Sequence, residues 1–240
     1  MTNMSIISSA GGRPVNEDYS ASAEAGGLTC YLIADGLGGH RGGALASRTA
    51  GEAVVEAFRN NPALTSEAAK AYFAHACDKL AIMEKQDTGL AGGLKTTIVL
   101  LLLGQDRALW AHLGDSRLYM IRSGKLIMQT SDHSVPQKLA DSGFIKPSQI
   151  RFHEDRNRLT AALSSRGSIP LKEGKLDILQ PGDIFLLCSD GFWEYVLEEE
   201  MTDCLADEPS PEQWLQRMEA ILLRKVQPGH DNYSAMAVFV

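Results

Sequence analysis

Four aspartates of this chain stand where an apolar, strand-like run ends or begins, each beside glycine or another small polar residue. The segments are Tyr31-Leu32-Ile33-Ala34-Asp35-Gly36, Leu113-Gly114-Asp115-Ser116-Arg117, Leu186-Leu187-Cys188-Ser189-Asp190-Gly191 and Gly229-His230-Asp231-Asn232. A carboxylate at a strand end sits on a rigid element, and a neighbouring glycine lets backbone and ligand approach closely. Carboxylates converging from such distant stretches would repel one another unless hard cations neutralised them. All-oxygen sites of that kind favour Mg2+ or Mn2+. The chemistry to expect is metal-assisted hydrolysis.

Other segments add to the set. Arg13-Pro14-Val15-Asn16-Glu17-Asp18 offers an arginine fork able to grip two phosphate oxygens, with two carboxylates placed to orient metal-bound waters. Asp35-Gly36-Leu37-Gly38-Gly39-His40 leads from a strand through a glycine-rich turn towards a helix. It is not the dinucleotide fingerprint, because Arg41 stands where the third glycine would be. Taken singly, each segment reads equally well as an ordinary turn with aspartate at a turn-favoured position. Their joint, ordered occurrence is not explained by chance turns.

The elements that must hold these residues can be read from periodicity. Strands are expected over 5–10, 18–23 and 28–34, then a helix over about 44–58 with Ala46, Ala50, Val54 and Phe58 on one face. A second helix, about 66–85, carries the stripe Ala69, Phe73, Ala76, Leu80, Met83. Strands 96–103 and 108–113, and again 117–121 and 125–129, are joined by links so short that each pair must be antiparallel. The polar stretch 132–158, with one helix near 135–142, reads as a flap over a site. Strands follow at 175–179 and 183–188, then a helix opened by Ser210-Pro211, with Trp214, Met218 and Ile221/Leu222 buried. A strand over 233–240 ends the series. Two consecutive helices among many short antiparallel strands predict an α+β fold: an α-β-β-α sandwich of two stacked antiparallel sheets flanked by helices. One domain over 1–240 is expected, with the flap at about 132–158.

Composition narrows the function classes. With 240 residues, 44% hydrophobic and 22% charged, the chain has ample material for a core. A formal charge of −7 argues against nucleic acid as a partner. The longest aliphatic run, Ile98 to Leu103, is too short to span a bilayer, and no basic-then-apolar leader opens the sequence. Cys30, Cys77, Cys188 and Cys204 show no Cys-x-x-Cys spacing. A reduced, cytoplasmic protein without membrane insertion is the reading. No Cys-x5-Arg loop of the cysteine-based phosphatases is present.

The ordered series Arg13-x-x-Asn16-Glu17-Asp18, Asp35-Gly36-x-Gly38-Gly39-His40, Lys95-Thr96-Thr97, Gly114-Asp115-Ser116-Arg117, Asp132-His133-Ser134, Ser189-Asp190-Gly191 and Asp231-Asn232 resembles the bacterial form of the metal-dependent protein phosphatase 2C family. The resemblance implies two Mn2+ or Mg2+ ions bridged by Asp35. Gly36 would offer its carbonyl to one ion, and Asp190 and Asp231 would ligate the other. It also implies a third, weaker site using Asp115 and Asp190, with Glu17 and Asp18 acting through water and Arg13 on the substrate phosphate. A hydroxide held by the ions would attack phosphorus in line, with no phosphoenzyme. Two positions depart from the pattern. Leu37 replaces the histidine that animal-type relatives use as the proposed general acid, leaving a water on the third metal as the preferred donor and His40 as another candidate. Lys95 replaces a usual glycine. The family's activity implies a phosphorylated protein as partner, a Ser/Thr kinase or its target, met by a monomeric enzyme. Control of type VI secretion is the pathway suggested by analogy. Alternatives are a catalytically idle phosphoprotein-binding relative and a phosphatase of a sigma-factor regulator. A nucleotide-binding oxidoreductase fails on the glycine spacing and the antiparallel strand order.

Overall fold

The computed structural model describes residues 2–240 apart from 39–40, 91–92, 167–169, 177 and 207–209. In chain order come β1 (Asn3–Ser9), β2 (Asp18–Ala25), β3 (Leu28–Leu37), α1 (Arg41–Asn60), α2 (Ser66–Gln86), β4 (Lys95–Thr96), β5 (Ile98–Leu103) and β6 (Ala108–Leu113). Then follow β7 (Arg117–Arg122), β8 (Lys125–Gln129), α3 (Val135–Asp141), β9 (Leu163–Ser164) and β10 (Lys172–Leu176). The chain closes with β11 (Ile184–Cys188), α4 (Asp190–Trp193), α5 (Glu198–Ala206), α6 (Pro211–Lys225) and β12 (Tyr233–Phe239).

Among the described residues the strands form two antiparallel sheets. One has the order β1-β12-β11-β7-β8; the other runs β10-β6-β5-β3-β4-β9, with β2 alongside β3. The two-residue alternation of strands explains how they stack. Tyr31, Ile33, Val99 and Leu101 point one way from the second sheet and meet Leu118, Phe185, Leu187, Met236 and Val238 of the first. On the opposite face, Cys30, Leu32, Ala34 and Leu100 meet the stripes Ala46, Ala50, Val54, Phe58 of α1 and Ala69, Phe73, Ala76, Leu80 of α2. The outward residues of the first sheet, Leu186 and Cys188 among them, pack on Trp214, Met218 and Leu222 of α6. The result is the expected α-β-β-α sandwich. Thr65 and Ser210 cap α2 and α6, accepting hydrogen bonds from Ala68 and Gln213 backbone N–H groups, with Pro211 in the first turn of α6.

Three expectations need correction. The strand expected at 175–179 is β10, three residues earlier, and it contains Gly174. That glycine lies against the Trp110 ring, where any side chain would collide, so its place in the strand is a point of close packing. The short helices α4 and α5 were absent from the sequence reading. Glu198, Glu199 and Glu200 in the first turn of α5 suit a helix N-terminus, and Met201 and Cys204, three apart, are its buried anchors. The expected strand 96–103 is divided at Thr97, whose N–H turns to the Asp35 carbonyl at 2.8 Å.

Register puts the aspartates at one rim of the sandwich. Ile33 pairs with Val99 and Ile98 with Leu113, so the end of β3, the start of β5 and the end of β6 lie together. In the other sheet Cys188 pairs with both Arg117 and Ala235, and Ser9 with Tyr233. The segments 10–17, 114–116, 189–191 and 229–232 therefore emerge at strand ends on that rim. Gly114 to Ser116 carries the chain from one sheet to the other.

Candidate active site

At this rim the structure opens a cleft of about 350 Å3, lined by Arg13, Glu17, Asp35, Gly36, Leu37, Asp115, Asp190 and Asp231. The seven of these to which the sequence assigns a metal or phosphate role, all but Leu37, are thus brought together. Asp18 lies beside them, half-buried, its Oδ2 accepting from the Ser189 hydroxyl at 2.8 Å. His40 falls outside the described residues.

Each side chain is fixed by local chemistry. Asp35 shares the strand parity of Tyr31 and Ile33, which places it at the end of the layer between the sheets. Its N–H donates to Thr97 Oγ1 at 3.0 Å, and its carbonyl accepts from Thr96 Oγ1 and Thr97 N at 2.8 Å each. Gly36 donates to the Glu17 carbonyl at 3.1 Å, and a side chain there would run into the Gly43 carbonyl of α1. Asp115 follows Gly114, whose φ of 104° belongs to glycine. The Asp115 carbonyl accepts from the Trp193 indole N–H at 2.9 Å. That indole lies under the Arg117 guanidinium, 3.4 Å from its centroid, and Arg117 grips Asp132 through two 2.8 Å hydrogen bonds. The Gly-Asp-Ser-Arg and Asp-His-Ser segments are therefore joined beneath the cleft by one buried pair.

The opposite wall is held by Asn232. Its Oδ1 accepts from Glu17 N at 2.8 Å, and its Nδ2 donates to the carbonyls of Ala10 and Val15 at 2.9 Å each. One amide side chain thus staples the loop bearing Arg13 and Glu17 to the start of β12. Arg13 donates to Asp231 Oδ2 at 3.2 Å, and both side chains are about half exposed.

The electrostatics follow from this crowding. Burial, then the charges of Asp190, Asp18 and Asp115, holds the Asp35 carboxyl well above the ordinary carboxylate range. Asp115 is raised by burial and Asp190, and Asp190 by burial and Asp231. Asp35 and Asp190 share a hydrogen bond that raises the former and lowers the latter, the usual accommodation of two carboxylates in one site. Asp18 is pushed up to about 7, chiefly by burial and against its bond to Ser189. Its Oδ1 is buried without a well-formed hydrogen bond, although the Ser234 hydroxyl lies near enough to ease the charge. Among the described residues, no three His, Cys, Asp or Glu side chains stand as a preformed metal-holding group.

Comparison with known proteins decides the family. The model of protein phosphatase 2C matches residues 10–229. The chain belongs to the protein phosphatase 2C family. The protein phosphatase PhpP of Streptococcus pneumoniae is 30% identical over 203 residues, covering 82% of this chain and 80% of that protein. The Mycobacterium tuberculosis serine/threonine phosphatase PstP/Ppp superposes with a TM-score of 0.88 at 26% identity, covering 100% of this chain and 98% of that one. A second structure, the PstP catalytic domain with two manganese ions, gives 0.84 at 26% identity over 99% and 97%. PppA of Pseudomonas aeruginosa, described as a key regulatory component of its type VI secretion system, gives 0.79 at 30% identity over 99% and 97%.

Within this phosphatase 2C fold, the residues that position the cleft are the ones sequence reading passed over. Asn232, Thr96, Thr97 and Ser189 were seen only as motif letters, and Trp193 not at all. A buried amide reaching three backbone groups, or an indole aimed at one carbonyl, leaves no periodic trace in sequence. Lys95, the departure from the family pattern, sits on the exposed side of two-residue β4 opposite Leu37 and Ser164, away from the aspartates' own hydrogen bonds.

Proposed function

We infer that this chain is a bacterial protein-serine/threonine phosphatase that hydrolyses phosphate monoesters with divalent ions held by its rim aspartates. The observation that carries this reading is the convergence of Asp35, Asp115, Asp190 and Asp231 from four remote segments on one cleft bordered by Arg13. The donors fit a divalent ion: they are hard carboxylate oxygens that raise one another's pKa, with an under-bonded buried oxygen on Asp18 beside them. Asp35, the Gly36 carbonyl, Asp190 and Asp231 would hold two ions, Asp115 with Asp190 a third, and Glu17 and Asp18 would act through water. Bound Mn2+ or Mg2+ supplies an activated water and polarises the phosphoryl group.

The remaining work falls to the chain itself. Arg13 presents a planar fork suited to two non-bridging phosphate oxygens, and a phosphoryl group entering the cleft competes with Asp231 for it. The Asn232 staple fixes the arginine loop before substrate arrives, which lowers the ordering cost of binding. Leu37 offers no proton, so the leaving-group proton is assigned to water beside Asp115. The idle-relative reading is disfavoured because every acidic position of the family's set is filled.

The substrate class is a phosphorylated protein, and the partner a Ser/Thr kinase or that kinase's target, in the cytoplasm. The likeness to PppA supports type VI secretion control as the setting. Deleting the gene and following phosphorylation of kinase targets tests the setting; unchanged phosphorylation removes it and leaves the chemistry standing. The chemistry is tested with p-nitrophenyl phosphate and Mn2+. Hydrolysis should be abolished by chelator and by Asp35→Asn in a folded variant; turnover that survives both sinks the reading.

A further inference from the structure

Three cavities meet along the edge of the flap. The catalytic cleft shares Arg13, Asp190 and Asp231 with a side pocket of about 170 Å3. That pocket shares Arg156, Glu194 and Tyr195 with a third, of about 450 Å3, whose apolar wall is Phe152, Tyr195 and Leu197. Phe152 is 76% exposed, and the structure explains why it stays so. In the 3-10 turn Pro147–Phe152 its neighbours Ile150 and Arg151 are buried. Arg151 binds both Glu198 oxygens at 2.7 and 2.8 Å and donates to the Val196 carbonyl at 3.2 Å. With the turn anchored through these two residues, the next side chain is turned outward beside Leu197, itself 36% exposed. Between the apolar pocket and the cleft, Arg156 and Glu194 hold each other at 3.0 Å.

We propose that this apolar pocket is a subsite for the substrate's own polypeptide, receiving an aliphatic or aromatic side chain about three residues from the phosphorylated serine or threonine. The proposal rests on the phosphatase reading above. The occupant follows from continuity: whatever places a phosphoryl group at Asp190 and Asp231 has its flanking chain at the mouth of the shared walls. The spacing follows from the wall itself. The backbone from Asp190 runs through helical hydrogen bonds as far as Val196, so Leu197 lies roughly 10 Å along it at about 1.5 Å per residue. An extended peptide covers that span in about three residues.

The test uses phosphopeptides with a Gly/Ser frame and a single leucine moved from five residues before to five after the phosphoserine, with p-nitrophenyl phosphate as reference. For the wild type, kcat/KM should rise on the order of tenfold when leucine stands about three residues away on one side. Phe152→Ser and Leu197→Ser should each remove most of that gain while leaving p-nitrophenyl phosphate hydrolysis unchanged. A flat leucine scan in the wild type, or a preference that survives both variants, overturns the subsite while leaving the phosphatase reading intact. A wild type inert towards p-nitrophenyl phosphate with Mn2+ overturns both.

Discussion

Arg13 and Trp193 show how differently single residues serve this cleft. Arg13 is half exposed and joined to Asp231 by one hydrogen bond, so removing it should spare the fold and weaken the grip on phosphate. Arg13→Ala is expected to raise KM for p-nitrophenyl phosphate roughly ten- to hundredfold, as loss of charge-assisted hydrogen bonds would; an unchanged kcat/KM would remove Arg13 from that role. Trp193 is buried, and its N–H is the donor to the Asp115 carbonyl. Trp193→Phe keeps a ring beneath Arg117 but strands that carbonyl, which should lower the unfolding free energy by about 1–3 kcal/mol in denaturant titration. A loss under about 0.5 kcal/mol would mean the hydrogen bond does not hold the Asp115 turn. Arg13 was legible because its chemistry is written in its type. Trp193 was not, because the partner it serves is a backbone atom 78 residues away.

At the scale of elements, the two ends of the 132–158 segment, expected from sequence to be a flap, are tied to each other. Val135 N donates to the Arg158 carbonyl, and Thr160 N to the His133 carbonyl. The His133 ring lies 5.1 Å from that of His112 on β6. His112 donates to the Ser131 carbonyl, and burial lowers its pKa to about 4. A histidine lowered in the folded state binds its proton more readily when unfolded. Its contribution is therefore intact above about pH 6.5 and is lost as pH falls towards 4, on the order of 3 kcal/mol in all. The raised aspartates slope the other way, so the effect should be read as the difference between wild type and His112→Leu in unfolding free energy from pH 7 to 4. Parallel curves would show that His112 is not held neutral by the fold. Sequence placed most strands and the three longest helices, because period-two and three-four patterns reflect which face is buried. It missed α4 and α5, which span only 4 and 9 residues, and shifted β10, where a glycine packs on tryptophan.

The whole molecule is a device for bringing strand ends to one rim. Phe185 and Leu187 from one sheet meet Ile33 and Leu101 from the other in a layer that is almost fully buried. Leu187→Ala should cost about 2–5 kcal/mol in one cooperative unfolding transition, since both sheets share that layer; two separated transitions would contradict the shared core. The sandwich itself was legible from short antiparallel links and paired helices. The rim was inferred only as convergence of acidic segments, because register between remote strands is a property of the assembled sheets. The most direct measurement is manganese anomalous scattering from crystals of this protein grown with Mn2+. Two ions are expected in the cleft, in contact with Asp35, Asp190 and Asp231. A cleft without manganese, or ions bound away from those carboxylates, would contradict the metal-dependent phosphatase assignment at its root.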